Sequence, residues 1–191
     1  MPAPAPASGA LPAPRHDSGP YAICMVCLGN ICRSPMAEAI LRNELSRAGL
    51  APAVTVDSAG TGDWHVGGRV HGPVGAELFR RGYDASAHRA RQIKASWLAR
   101  YDLVVAMDRA NLAALRAMAP DAGTAARIRL LRSFDPALAR DDPYSGDVPD
   151  PYGAPDDVPR TFDLIQPAVA GLAGLLARAL PVDRSHPGSH R

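Results

Sequence analysis

Three shortages narrow this chain before any motif is read. Its 191 residues hold no uninterrupted run of about 18 apolar residues, so no segment is expected to cross a membrane as a helix. Charge of one sign is missing: 21 Lys and Arg against 19 Asp and Glu leave a formal +2. That excess is too small to argue for nucleic acid or an anionic membrane surface as a partner. Cysteine is scarce, and its three copies, Cys24, Cys27 and Cys32, stand close together. Such clustering is no disulfide framework, and without His or Asp neighbours it matches no metal-ligand spacing. No metal and no cofactor are expected, and a reduced, cytoplasmic setting fits best.

What is present is one domain's worth of patterned sequence between two biased ends. Residues 1–20, MPAPAPASGALPAPRHDSGP, carry too little apolar mass to fold and read as a disordered leader. They lack the continuous apolar stretch of a signal peptide, so export is not read from them, although nothing bars delivery to a host. Residues 182–191 are again polar and Pro/Gly-bearing, a flexible tail. The intervening 21–181 suffice for a single domain with a proper core.

Strands and helices alternate along that domain. The apolar run 21–26, YAICMV, has the composition of a buried strand, and 36–48 follows as a helix with Met36, Ala39, Ile40 and Leu45 on one face. Gly49 stops it, and Val54-Thr55-Val56 forms a short β-branched strand with Ser58 just beyond its end. Residues 73–82 read as a helix turning Val74, Leu78 and Phe79 inward. YDLVVAM, 101–107, is the clearest strand; a helix over 112–118, a strand over 128–131 and a final helix over 161–180 complete the pattern. Alternation of this kind argues for βαβ units and a parallel sheet, with ligands at the carboxyl edge of the strands.

The chemistry concentrates in Cys27-Leu28-Gly29-Asn30-Ile31-Cys32-Arg33-Ser34-Pro35, the turn between the first strand and the first helix. Pro35 suits the first helical position. Backbone N–H groups in such a turn can curl around one point and attract an oxyanion, phosphate above all. Cys27 placed there would feel those amides and the helix dipole, which favour its thiolate. Arg33 returns to the rim with donors for bidentate phosphate binding. Ser34 can hydrogen-bond the sulfur, and Gly29 and Asn30 suit the left-handed backbone the loop demands. A thiolate, an anion cradle and an arginine clamp describe a cysteine-dependent phosphatase.

CLGNICRSP resembles the signature loop of the low-molecular-weight protein tyrosine phosphatases, and the resemblance runs from about Tyr21 to Leu180. It implies a single α/β domain with a central four-stranded parallel sheet flanked by helices on both faces, the Rossmann-like phosphatase I fold. It also implies hydrolysis of phosphotyrosine in proteins through a phosphocysteine intermediate, with phosphate, sulfate or vanadate as product or inhibitor, and a monomer. Leu28, Gly29, Asn30, Ile31, Cys32 and Ser34 would cradle the phosphate. Ser58 would buttress Asn30, His88 would support it from below, and Arg91 would brace the loop wall. Trp64, in a glycine-rich polar loop, would form one wall of an aromatic slot.

Phosphoryl transfer to cysteine needs an acid for the departing phenolate, and the signature loop contains none. The irregular stretch 134–158 offers Asp-Pro-Tyr twice, at Asp142-Pro143-Tyr144 and at Asp150-Pro151-Tyr152. The second copy lies closer to the final helix and matches the family's spacing better, so Asp150 is chosen as the acid and Tyr152 as the wall opposite Trp64. Gly153 stands where many family members carry a second aromatic, which bears on the depth of the slot. Cys32, five residues after Cys27, raises a reversible disulfide as a redox switch. Two other readings compete: an arsenate reductase of similar loop, whose chemistry needs redox cysteines later in the chain than Cys32, and a silent phosphotyrosine-binding module, opposed by the complete Cys27, Arg33 and Asp150 set.

Overall fold

The computed structural model describes residues 10–138 and 146–180. β1 (Tyr21–Cys27) runs through the middle of the molecule, and Ile23, Cys24, Met25 and Val26 are all fully buried. Such a strand needs cover on both faces. Its side chains alternate between two cores, as the two-residue period of a strand dictates. Ile23, Met25 and Cys27 enter one, Cys24 and Val26 the other.

β1 is flanked by β2 (Val54–Gly60) and β3 (Leu103–Ala106), and β4 (Ile128–Leu130) forms the edge beyond β3. The order β2-β1-β3-β4 is parallel throughout. Helices α1 (Arg33–Arg47), α2 (Gly72–Arg80), α3 (Ala95–Leu98), α4 (Arg109–Met118) and α5 (Ala122–Ala125) fill the connections, and α6 (Val158–Ala179) follows β4. α1 sends Met36, Ile40 and Leu41, and α6 sends Phe162, Ile165, Val169 and Leu172, into the core under Met25. Leu98 of α3 and Leu115 of α4 close the opposite face. The chain leaves β1 toward β2 and later returns on its other side to β3. The turns after β1 and β3 therefore open a crevice at the carboxyl edge, the usual ligand position in such sheets.

Several expectations shift in detail. α1 begins at Arg33, so Pro35 occupies its third position and not its first; a proline still fits there, because the first four helical N–H groups lack intrahelical partners. β2 extends to Gly60, which places Ser58 inside the strand opposite Met25. The polar Asp57 and Ser58 ended the strand in the sequence reading, yet side chains outside the sheet satisfy both. Phe79 does not turn inward: the buried face of α2 is Val74, Glu77 and Leu78, and Phe79 is 84% exposed. The short α3 and α5 were not foreseen. Residues 155–179 are long and apolar enough, by length and composition, to cross a membrane. Arg160, Asp163 and Gln166 interrupt their apolar run, and in this fold the apolar stripe of α6 packs into the core.

The leader is not uniformly detached either. From Ala10 to Arg15 the chain lies against the amino end of the sheet. The Arg15 N–H donates to Asp102 Oδ1 at 2.6 Å and its Nε to the Tyr101 carbonyl at 2.8 Å. Arg127 reaches the Ala13 carbonyl at 2.7 Å, Arg129 that of Ala10, and the Tyr21 hydroxyl that of Pro12 at 3.0 Å. Composition missed this because the partners that hold the segment, Asp102, Tyr101, Arg127, Arg129 and Tyr21, lie outside it. The remaining leader and tail residues, 1–9 and 181–191, and the first Asp-Pro-Tyr copy lie outside the described residues.

Candidate active site

The loop after β1 closes on Cys27. Register sets Cys27 beside Gly60, and the loop backbone crosses so near that a Cβ on Gly60 would stand 2.6 Å from the Leu28 carbonyl. Only glycine fits there. Asn30 turns the loop with φ of +55°, while Gly29 has no positive φ and serves by its lack of bulk: a Cβ there would meet the His65 ring at 2.9 Å.

Asn30 is fully buried and spends its whole polar inventory locally. Its Nδ2 donates to Ser34 Oγ and to Ser58 Oγ, both at 2.9 Å, and its Oδ1 accepts from the Arg91 N–H at 2.8 Å. Its carbonyl lies 2.7 Å from His88 Nε2, so that nitrogen carries the proton, since a carbonyl can only accept. Burial holds His88 below its ordinary pKa, against the opposing pull of the Asn30 carbonyl and Glu38. Arg91 braces the wall, its Nε on the Ser58 carbonyl at 3.1 Å.

These supports fix the surroundings of the sulfur. Cys27 Sγ accepts from the Asn30 N–H at 3.3 Å and lies 3.1 Å from Ser34 Oγ. Because Ser34 Oγ already accepts from Asn30, its own proton faces either the sulfur or the Ala59 carbonyl at 3.3 Å. The Asn30 N–H is aimed at the sulfur in both arrangements, and the Ser34 hydroxyl joins it in the first, where negative charge on sulfur would sit. Cys32 is buried one residue before α1, and burial, with Asp150 and Cys27 adding to it, pushes its thiol up to about 12. All three cysteines are free thiols.

Arg33, at 2% exposure, is held between two carboxylates. Its Nη1 donates to Asp108 Oδ2 at 2.6 Å and to the Val148 carbonyl at 3.0 Å, and its Nη2 to Asp150 Oδ2 at 2.6 Å. Its Nε is buried without a partner among the described residues. Burial works against its charge, but Cys27, Asp150 and Asp108 together outweigh it and raise its pKa. Asp108 also caps α4, with Oδ1 accepting from the Asn111 N–H at 2.7 Å. Asp150 Oδ1 accepts from the Tyr152 N–H at 3.1 Å, a local turn that ties the carboxylate to the slot wall.

Above the sulfur lies a cavity of about 410 Å3, lined by Leu28, Ile31, Trp64, His65, Asp150 and Tyr152 together with the loop. Trp64 is 70% and Tyr152 57% exposed, leaving flat aromatic faces free on the slot's walls. His65 and His71 lie against Tyr152, with ring centroids 5.6 and 5.4 Å from it. Every site residue expected from the sequence and lying in the described residues is therefore gathered at one sheet edge. Missed were Gly60, His65, His71 and the role of Asp108. Asp108 was findable as an acid directly after a parallel strand; the histidines gave no such signal.

A buried sulfur under hydrogen-bond donors, an arginine with an uncommitted N–H, a carboxylate on that arginine and an aromatic slot define a cysteine-dependent phosphatase. Comparison with known proteins agrees. The family model for low molecular weight phosphotyrosine protein phosphatase matches residues 22–182. The chain is 49% identical over 153 residues to the low molecular weight protein-tyrosine-phosphatase of Streptomyces coelicolor, covering 80% of this chain and 91% of that one. It is 44% identical over 156 residues to low molecular weight protein-tyrosine phosphatase A of Mycobacterium tuberculosis, covering 81% and 91%. Among solved structures, YfkJ of Bacillus subtilis superposes with a TM-score of 0.76 at 34% identity, covering 85% of this chain and 98% of that one. Vibrio vulnificus Wzb in complex with benzylphosphonate gives 0.68 at 27%, covering 82% and 99%. The chain belongs to the low molecular weight protein-tyrosine phosphatase family.

Proposed function

We propose that this chain hydrolyses phosphotyrosine in proteins, with Cys27 as nucleophile, Arg33 and the loop amides as the phosphate cradle, and Asp150 as general acid and base. One observation carries the reading: Asp150, which lines the slot cavity together with Cys27, accepts from Arg33 Nη2 at 2.6 Å. A phosphoryl oxygen would compete with Asp150 for the Arg33 Nη2 donor and find the unpartnered Nε beside it. The displaced carboxyl group would then be free to face the leaving oxygen.

In the first step the Cys27 sulfur attacks phosphorus, and an S–P bond forms as the P–O bond to the phenol breaks. The electron pair leaves on the phenolic oxygen, which takes the proton of Asp150. Arg33 and the loop amides hold the equatorial oxygens, so catalysis is chiefly positioning and electrostatic stabilisation. In the second step a water oxygen bonds phosphorus, its proton passes to Asp150, and the S–P pair returns to sulfur. The phenyl ring lies between Trp64 and Tyr152. The benzylphosphonate bound to the Vibrio neighbour has the same aromatic and phosphorus parts. Phosphate, sulfate and vanadate are competing oxyanions, and the enzyme works as a cytoplasmic monomer.

Leaving-group dependence tests the assignment. Losing a general acid costs about 100- to 10,000-fold where the leaving group is a basic phenolate. Asp150→Asn should therefore slow a phosphotyrosine peptide far more than p-nitrophenyl phosphate, whose leaving group needs the proton less. Asp142→Asn should stay within about threefold of wild type if Asp150 is the acid, the size of change usual for a substitution outside the chemistry. The reverse pattern would move the acid to Asp142 and the slot wall to Tyr144.

A further inference from the structure

Helix α2 holds an aromatic side chain on its solvent face. Phe79 is 84% exposed and lines a cleft of about 220 Å3 together with Val70, Gly75, Tyr83 and Ala85, with one cation, Arg69, and one carboxylate, Asp84, that is engaged by the Ser86 N–H at 2.8 Å. Isolated exposed apolar residues are ordinary, but this one lines a hollow whose wall is next in the chain to a residue packed on the slot. Val70 is followed by His71, whose ring lies 5.4 Å from Tyr152 and whose N–H donates to the Ile31 carbonyl of the phosphate loop at 2.8 Å. The segment from Trp64 to His71 thus walls the slot with Trp64 and His65, lines the cleft with Arg69 and Val70, and ends in His71 packed on Tyr152. Arg69 is exposed in that segment and makes no ion pair among the described residues.

We propose that this cleft is a second contact for the phosphotyrosine-bearing segment of the substrate. It takes an apolar side chain two to four residues from the phosphotyrosine, with an acidic neighbour drawn to Arg69. The inference rests on the reading of the slot as a phosphotyrosine site. An extended peptide advances about 3.3–3.6 Å per residue, so two to four residues span about 7–14 Å. That reach matches a cleft whose wall is one residue removed from a side chain packed on Tyr152. The exposed ring and the Arg69 guanidinium then have one occupant, a segment both apolar and acidic, already delivered by the phosphotyrosine.

The test compares phosphotyrosine peptides carrying Glu-Leu within four residues of the phosphotyrosine, on its amino or its carboxyl side, with peptides carrying Ser-Ser there. p-Nitrophenyl phosphate is the small-substrate control. Wild type should prefer Glu-Leu in one of the two series by about 5- to 30-fold in kcat/KM, the range that partial burial of one such side chain supports. Phe79→Ala should reduce that preference to within about twofold and leave p-nitrophenyl phosphate turnover unchanged, and Arg69→Glu should penalise the Glu-Leu peptide alone. Equal rates for both peptides in wild type, or a preference that survives Phe79→Ala, would overturn the proposal. So would a dimer that Phe79→Ala dissociates, because the occupant would then be a second copy. Failure of the reading of the slot itself would look different: p-nitrophenyl phosphate would not be turned over at all.

Discussion

Asn30 is where the backbone strain of the phosphate loop and its side-chain bonding meet, so its replacement gives a worked number. Asn30→Ala deletes two hydrogen bonds donated by Nδ2 and one accepted by Oδ1. At about 1 kcal/mol each these amount to about 3 kcal/mol. Alanine must also hold a φ of +55°, which costs about 1–2 kcal/mol for a residue without a local polar partner. The expected loss is about 4–5 kcal/mol, a large share of a domain stability of about 5–15 kcal/mol. Asn30→Gly loses the same bonds and escapes the left-handed penalty, but its freer unfolded chain costs about 0.5–1 kcal/mol. Glycine should therefore be the more stable variant by about 0.5–1 kcal/mol. Urea titration of both variants against wild type reads these differences as midpoint shifts at constant slope. In the same variants, Ser34 and the N–H over Cys27 lose their anchor, and kcat should fall about 100-fold. Stabilities within about 1 kcal/mol of wild type, or alanine more stable than glycine, would refute the reasoning.

Two further outcomes follow from the same geometry. If Cys27 is oxidised to a sulfenic acid, Cys32 can close a disulfide with loss of water; because burial pushes the Cys32 thiol up to about 12, thiol-reversible recovery after peroxide should improve as pH rises from neutrality, and Cys32→Ser should recover less at every pH. His88 has a folded pKa below its ordinary 6.5, so the unfolded chain binds the extra proton first: its contribution is fully present above 6.5 and is lost as pH falls from 6.5 toward the folded value. His88→Gln should flatten that limb of the stability profile, and an unchanged slope would remove His88 as its source.

The site was legible where the chemistry demanded contiguous residues. Cys27 to Ser34 form one turn, and its strand and helix announce themselves by an apolar run and a helical period. Ser58 was placed correctly in space but wrongly in structure, because a polar pair inside a strand looks like an ending until Asn30 and Tyr101 are seen to satisfy it. Phe79 was misplaced by counting it with Leu78 and Val74, since a nine-residue helix leaves little period to fit. Asp108, His65 and His71 act through partners far away in the chain: Asp108 on Arg33, the histidines on Tyr152. Arg15 likewise holds its segment down through Asp102 and Tyr101, residues that no local composition could connect to it.

The phosphocysteine is the centre of the account, and trapping it is the direct measurement. Wild-type enzyme mixed with a phosphotyrosine peptide, quenched in acid within a turnover and digested, should yield one phosphorylated enzyme peptide, modified at Cys27. Cys27→Ser should yield none and should not turn over, while vanadate still protects it from unfolding because Arg33 and the loop amides remain. Turnover without enzyme-bound phosphate, phosphate on any other residue, or full activity in Cys27→Ser would contradict the account.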